Sequence, residues 1–355
     1  MMLGCGALVR EVALAIPLIA SRHDDEFTVI IAARNADRTL WLARMVRARS
    51  FAGGVPLTVL SYELDWSSVD QVAATIAAAA PNVIFNTASL QSPWALQTDD
   101  DWSRLVRGGG YGVTVALQAA LLPTLGRALH SAGGDVAVVN ACYPDVVNAG
   151  GRRMGLNIRC GIGNIALVAE LLRQYLAASA DRELRLLAGH WDVSELSRPP
   201  EQRSDYPMVW QNGRTVEPER LSGAPSLSAD ATLNAFGAGT SAALLYALAT
   251  NRDWTGHVPG PWGELGGYPV RLEAGALSYD LPGNLTLDEA RRWNTERCER
   301  DGAVVEQGTH VRFSSRAAEL IRVVAPELAG GFDFKDVESA ARAFMELRDA
   351  MGKRV

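Results

Sequence analysis

The sequence predicts an α/β protein: a doubly wound parallel sheet followed by a second α+β domain. Three observations carry this. Continuous β-branched runs such as Phe-Thr-Val-Ile-Ile-Ala-Ala at 27–33 read as strands buried on both faces. Up to residue 140 such runs alternate with helical stretches, and this β-α-β rhythm requires parallel strands with right-handed crossovers. The chain has 355 residues, 48% hydrophobic and 21% charged, which is too long for one small core and too apolar for disorder.

The elements follow in order. Leu3-Gly4-Cys5-Gly6 is a tight glycine turn that opens an apolar helix through Ala20. Few residues precede Gly4, so the first strand is expected to fall short of the usual five or six. The strand at 27–33 passes through Arg34-Asn35 into a helix reaching about Arg49. Residues 57–62 form a third strand, 67–80 an Ala-rich helix with Ser68 as its cap, and 82–87 a fourth strand. A long helix is expected from Asp99 to about His130, broken by Gly133-Gly134 before a fifth strand at 135–140.

Beyond Asn140 the pattern loosens. A short helix over 144–148, a strand near 156–160, a helix over 164–178 and a strand at 184–188 are expected. Asn212-Gly213, flanked by apolar residues, marks a hairpin. Helices follow over 237–249 and from Leu287, the latter capped by Thr286, with strands between them in 268–281. The tail from Ser314 reads as helical in two pieces separated by Gly330-Gly331. The division expected is 1–145 for a dinucleotide-binding domain, 146–312 for an α+β substrate domain, and 313–355 for a helical extension.

Charge and composition exclude several classes. Lys+Arg 34 against Asp+Glu 40 leaves a net −6, without the basic footprint of a nucleic-acid binder. Lys335 and Lys353 are the only lysines, which removes most lysine-based catalysis. Cys5, Cys142, Cys160 and Cys298 show no C-x-x-C spacing, so neither a disulfide scaffold nor a metal site is expected. The N-terminal apolar stretch at 12–20 contains Pro17 and is too short to span a bilayer. A cytoplasmic protein with no membrane partner is the expectation.

Gly4-x-Gly6 ahead of a helix suits a pyrophosphate, because helix N-termini leave amides unsatisfied. The amides of Ala7 and Leu8 would join them, making this a Rossmann-type site, although Val9 stands where a third glycine would. A dinucleotide fold that prefers NAD places an acid after the second strand, whereas an arginine accepts a 2′-phosphate. Here Arg34-Asn35 stands there with Arg38 one turn on, so NADP(H) is expected over NAD(H). Asn86-Thr87-Ala88 and Asn140, at the ends of the fourth and fifth strands, are expected to hold the nicotinamide half.

His190 is the acid/base candidate. It follows the apolar run 184–188 directly, where a neighbouring carboxylate, Asp145 or Asp192, would tune its pKa. His23 and His130 lie in polar contexts, and His257 and His310 in loop-like ones. Asn164, Trp191 and Thr240 are the expected substrate-binding residues.

The order of these pieces from Gly4 to about Arg292 resembles the lactate/malate dehydrogenases. Asn86-Thr87-Ala88 resembles that family's "TAG" loop, and 105–129 its long helix. Val-Ala-Val-Val-Asn-Ala-Cys-Tyr-Pro-Asp-Val-Val at 136–147 resembles its "VVSNPVDV" element with two extra residues, matching Asn140 to the Asn that contacts cofactor and substrate. Ala188-Gly189-His190 resembles the element that carries its catalytic His, 236–248 its late pocket helix, and 267–289 its closing strands and helix. The resemblance implies a dinucleotide-binding oxidoreductase that self-associates as a homodimer or homotetramer. Leu167 stands near the family's catalytic Asp and Glu170 near its carboxylate-binding Arg, and 91–101 lacks its mobile-loop Arg. Such positions would repel a carboxylate substrate.

Two shorter resemblances compete. Ile-Ile-Ala-Ala-Arg-Asn at 30–35, followed by Asp65, is similar to saccharopine-dehydrogenase-type NADP domains. Asp-Trp-Ser-Arg-Leu-Val at 101–106 is similar to short-chain dehydrogenases, but their Tyr-x-x-x-Lys is missing: Tyr143 is followed by Val147. The expected function is hydride transfer between NADP and a small carbonyl, imine, alcohol or amine, with His190 as acid/base. The alternative is an inactive dinucleotide-binding sensor or scaffold.

Overall fold

The computed structural model describes residues 1–176, 183–306 and 308–352. The end of the helix expected over 164–178 and the last residues of the tail, Lys353 among them, lie outside these.

The first part of the chain runs β1 (Met2–Leu3), α1 (Ala7–Ala20), β2 (Phe27–Ala33), α2 (Ala36–Ala52), β3 (Leu57–Glu63), α3 (Val69–Ala79) and β4 (Val83–Asn86). It continues through α4 (Asp101–Gly109), α5 (Val115–Ala119), α6 (Leu122–Ser131), β5 (Ala137–Asn140), α7 (Pro144–Arg153) and β6 (Ile158–Gly161). The six strands are parallel in the order β3-β2-β1-β4-β5-β6, which places the change of direction between β1 and β4. A ligand crevice opens beyond the carboxyl ends of strands at such a point. β1 is as short as expected, yet it is central: Leu3 pairs with Ala32 on one side and Asn86 on the other. The sheet also runs past residue 145, because β6 joins β5.

The helix expected over 99–130 is broken. Gly110 takes φ +95, and α4 gives way to a 3-10 turn over Tyr111–Thr114 before α5 and α6. The reason is a close backbone approach. A Cβ on Gly110 would lie 2.3 Å from the Asp301 carbonyl oxygen, and one on Gly112 would lie 2.4 Å from the Ala303 nitrogen. The apolar stretch from Tyr111 to Ser131 is mostly buried inside the fold.

The second part contains α8 (Asn164–Tyr175), β7 (Leu184–Leu187), α9 (His190–Leu196), β8 (Met208–Gln211), β9 (Arg214–Val216), α10 (Pro218–Leu221) and α11 (Leu233–Thr250). Then come β10 (Trp254–Pro259), β11 (Gly267–Glu273), β12 (Ala276–Tyr279) and α12 (Leu287–Arg300). Antiparallel sheets β7-β8-β9 and β10-β11-β12 form its frame. Asn212 and Gly213 both take positive φ, as the β8–β9 hairpin requires. Thr286 and Glu289 form the capping box of α12. Apolar residues of α1 and α11 share one core cluster, which ties this part to the sheet.

The tail is not a simple helical addition. A third sheet, β13 (Ala303–Val305), β14 (His310–Phe313) and β15 (Phe332–Asp333), precedes and separates α13 (Ser315–Val324) and α14 (Val337–Met351). Val305, Val311, Ile321, Phe334 and Phe344 share one buried cluster with Leu117 and Val146 of the first part. Gly150 on α7 makes room for Phe334, whose ring would lie 2.1 Å from a Cβ there. This packing carries the turn after α12 back to the sheet and to the site.

Candidate active site

A cavity of about 340 Å³ opens beyond β1 and β4, lined on one side by Gly6, Ala7 and Leu8 and on the other by His190, Asn164 and Leu167. Gly4 makes the entry turn: φ is +124, and a Cβ would come 2.4 Å from Thr87 Oγ1. Gly6 ends the turn as the N-cap of α1, with no side-chain cap on the helix amides. A Cβ on Gly6 would meet nothing within 4 Å, so the glycine leaves open space beside unpaired amides. A pyrophosphate fits such a cradle.

His190 begins α9 at the far wall. Its Nδ1 lies 2.9 Å from Asp301 Oδ2, in the turn that follows α12. The same oxygen accepts the Tyr143 hydroxyl at 2.8 Å, and Oδ1 lies 3.4 Å from the Tyr111 amide. The imidazole stacks on Tyr111, with ring centres 4.3 Å apart, and meets Tyr143 edge-on. Tyr143 holds this place with φ +44, a left-handed conformation that costs energy for a side chain of its size. Burial alone lowers the His190 pKa. The Asp301 carboxylate, by charge and hydrogen bond, and Asp145 behind it push harder, and the net shift is upward.

The two carboxylates expected beside His190 are close but do not hold its ring. Asp145 Oδ1 accepts the His190 backbone amide at 3.2 Å, and its other oxygen takes the Asn164 side chain. Burial pushes Asp145 up to about 6 against the opposing charge of His190. Asp192 Oδ2 caps α9 through the Gly189 amide at 2.8 Å, and burial pushes it up to about 7 despite Arg297. Asp301, the actual ring partner, is 111 positions away in sequence. Nothing local in the sequence marks it.

Asn86 and Asn140 reach the strand ends as expected, but their amides are spent internally. Asn86 Nδ2 donates to Asn140 Oδ1 at 3.0 Å, and Asn140 Nδ2 to Asn148 Oδ1 at 2.9 Å. Both are buried and neither lines the cavity, because the loop after β5 folds over them and Cys142 N takes the remaining Asn140 lone pair. The Ala88 amide likewise turns back to Asn86 Oδ1. Thr87 lines the cavity, with its hydroxyl donated to the Leu3 carbonyl.

Trp191 and Thr240 lie outside the cavity. The Trp191 indole N–H points to Asp205, and Thr240 faces a separate hollow with Glu170 and Arg173 on the far side of α8 and α11. Ser241 and Asn234, on the same helix as Thr240, line the cavity in its place. Arg38 lines an adjoining recess with Cys5, Gly6, Arg10, Asp37 and Trp41. Asn35 caps α2 through the Arg38 amide at 2.8 Å, and Arg34 is exposed at the end of β2. His257 belongs to β10 rather than a loop; burial lowers it to about 3, and its Nε2 accepts the Leu186 amide.

Among the described residues no group of three or more His, Cys, Asp or Glu side chains is placed to hold a metal ion. In the cavity the Cys142 thiol, pushed up to about 12 by burial, donates to the Ala88 carbonyl.

No family model matches the sequence, and no curated protein matches it. Solved structures do match in shape. The lactate dehydrogenase of Cryptosporidium parvum, complexed with lactic acid and β-nicotinamide adenine dinucleotide, superposes with a TM-score of 0.52 at 14% identity over 84% of this chain and 93% of its own. The malate dehydrogenase of Aeropyrum pernix gives 0.51 at 14% over 92% and 99%. The 6-phospho-β-glucosidase of Thermotoga maritima gives 0.56 at 11% over 99% and 98%. The chain therefore has the lactate/malate dehydrogenase-like fold, a Rossmann-type sheet with a second α+β part, at a sequence distance where the likeness extends to the fold alone.

Proposed function

We propose that this protein is a nicotinamide-dinucleotide-dependent oxidoreductase in which His190 exchanges the proton. The supporting observation is the His190–Asp301 pair facing a cavity whose other wall is the uncapped start of α1. Gly4, Gly6 and the amides of Ala7 and Leu8 would hold the dinucleotide, which would supply or accept a hydride when bound. The chain's own residues do the rest. Asp301 accepts from Nδ1 and leaves Nε2 for the substrate oxygen or nitrogen. In the oxidative direction neutral Nε2 takes the hydroxyl proton as the carbinol carbon gives up its hydride; in reduction the imidazolium returns it. Tyr111 and Tyr143 keep the ring in one orientation.

For the cofactor, NADP(H) is the reading that the Arg38 recess favours. Arg10 and Arg38 flank the approach to Gly6, and no carboxylate ends β2. The lactate dehydrogenase neighbour was solved with the 2′-hydroxyl cofactor, so the two must be compared directly. Fluorescence titration with NADPH and NADH, followed by turnover of His190→Ala, tests the proposal. Binding of NADPH with turnover lost in the variant supports it. Undiminished turnover in His190→Ala removes the histidine from the mechanism, and tighter NADH binding removes the NADP preference.

A further inference from the structure

Beside His190 the cavity is lined by Trp94, Leu167, Val193, Leu233, Asn234 and Ser241. Among the described residues that line this cavity there is no lysine or arginine, which leaves His190 as the one side chain able to carry positive charge. The charges set just behind the wall are carboxylates, Asp145 at the His190 amide and Asp301 at its ring. Leu167 presents an apolar side chain to the cavity. It packs on Gly237 of α11, so closely that a Cβ there would lie 2.7 Å from Leu167 Cδ2.

The polar groups on this wall are neutral. Asn234 Nδ2 has no hydrogen-bond partner among the described residues. The Ser241 hydroxyl donates to the Gly237 carbonyl at 2.8 Å, which leaves its oxygen as an acceptor. A substrate carboxylate would shed its hydration against Trp94 and Leu167 and find two carboxylates behind His190. A fixed cation would face the imidazolium that reduction requires.

We propose that the site takes an uncharged substrate: a neutral secondary alcohol or the matching ketone. Its apolar body lies against Trp94, Leu167 and Leu233. This rests on the oxidoreductase reading for its chemistry, but the charge selection belongs to the wall and is measurable without turnover.

The test uses the full chain and three probes that share one skeleton. These are benzylacetone, the keto acid in which a carboxylate replaces its methyl group, and the ketone in which a trimethylammoniomethyl group replaces it. Saturation-transfer NMR with saturating NADPH reads binding, and NADPH consumption reads reduction. Benzylacetone is expected to bind and to exceed both charged probes in kcat/KM by at least about tenfold. Leu167→Arg should reverse the order in favour of the keto acid, and Trp94→Arg, which puts a cation on the cavity from a half-buried position, should shift it the same way. The second variant keeps the test open if the first fails to fold. A charged probe that matches or beats benzylacetone, or absence of binding by all three, overturns the proposal. Binding of benzylacetone alone without any turnover upholds the charge selection and counts against the oxidoreductase reading instead.

Discussion

Asp301 Oδ2 lies 2.9 Å from His190 Nδ1, and this contact joins the start of α9 to the end of α12 at the mouth of the parallel sheet. Replacing the carboxylate with an amide removes the charge that raises the imidazole pKa, while the burial that lowers it remains. In Asp301→Asn the His190 pKa therefore falls. Alcohol oxidation needs the neutral ring, so its acid limb in kcat/KM moves to lower pH. Ketone reduction needs the protonated ring, so its alkaline limb moves the same way. Turnover should also drop by about 10²–10⁴, the usual contribution of a positioned acid/base. Limbs that stay at their wild-type pH would show that Asp301 does not set the ring's charge.

The start of α1 offers a cleaner test of the cofactor cradle. A Cβ on Gly6 meets nothing within 4 Å and its φ is ordinary, so Gly6→Val should fold at a cost of about 1 kcal/mol, the usual loss when an N-cap glycine is replaced by a β-branched residue. The new methyls fill the space expected for pyrophosphate, and dinucleotide affinity should fall by tenfold or more, about 1.4 kcal/mol. Chemical unfolding and fluorescence titration of the same sample separate the two effects. Unchanged affinity in a folded Gly6→Val would move the cofactor away from α1.

What could be read from sequence here was what a short window contains. The strand at 27–33, the Asn212-Gly213 turn and the Thr286–Glu289 box are set by neighbours a few residues apart, and they stand as expected. Asn86 and Asn140 were placed correctly at strand ends, yet their amides turned to one another, because β4 and β5 are adjacent in space and 54 residues apart in the chain. Asp301 and the β13–β15 sheet were missed for the same reason. Short strands and a lone acid after a helix carry no periodic signal, and their roles arise from packing against α4, α5 and α7.

That packing predicts where the site is fragile. A methyl at position 112 would lie 2.4 Å from the Ala303 nitrogen and 2.6 Å from the Gly302 carbonyl carbon, both backbone atoms that cannot rotate away. Gly112→Ala should cost about 1–3 kcal/mol in urea unfolding and lower turnover by displacing Asp301. Gly330→Ala, with nothing within 4 Å of its Cβ and no positive φ, is the matched control and should behave as wild type. Equal stability of the two variants would mean that the turn at Asp301 tolerates movement.

The buried amide chain makes a different prediction. In Asn140→Ala the donor to Asn148 and the acceptor for Asn86 disappear together and leave two buried amides short of partners. The expected loss is about 1–3 kcal/mol, with cofactor affinity little changed in the folded fraction, because neither Asn lines the cavity. A selective loss of dinucleotide binding at wild-type stability would restore Asn140 to the cofactor site.

The pH dependence of stability follows from the buried acids. Asp145 and Asp192 have folded pKa values raised to about 6 and about 7, and His190 is also raised. An unfolded Asp titrates near about 3.9. Between that value and about 7 the folded chain therefore holds more protons at these acids than the unfolded chain, and their contribution to the unfolding free energy falls as pH rises. Their favourable contribution is complete below the unfolded value and is lost once pH passes the folded ones. The Asp205 and Asp280 carboxylates, lowered by arginines against their burial, act in the opposite sense only as pH falls below the ordinary carboxylate range. His257, lowered to about 3 by burial, and the buried Met1 amino group, lowered to about 5, act in the opposite sense over the same interval, so the acids are read from the difference between wild type and Asp192→Asn, by urea midpoint and by melting temperature alike. Asp192→Asn keeps the acceptor for the Gly189 amide and cannot ionise, so from pH 5 to pH 8 it should lose less stability, or gain more, than wild type. The same pH dependence in wild type and Asp192→Asn would mean that Asp192 is ionised in the fold throughout.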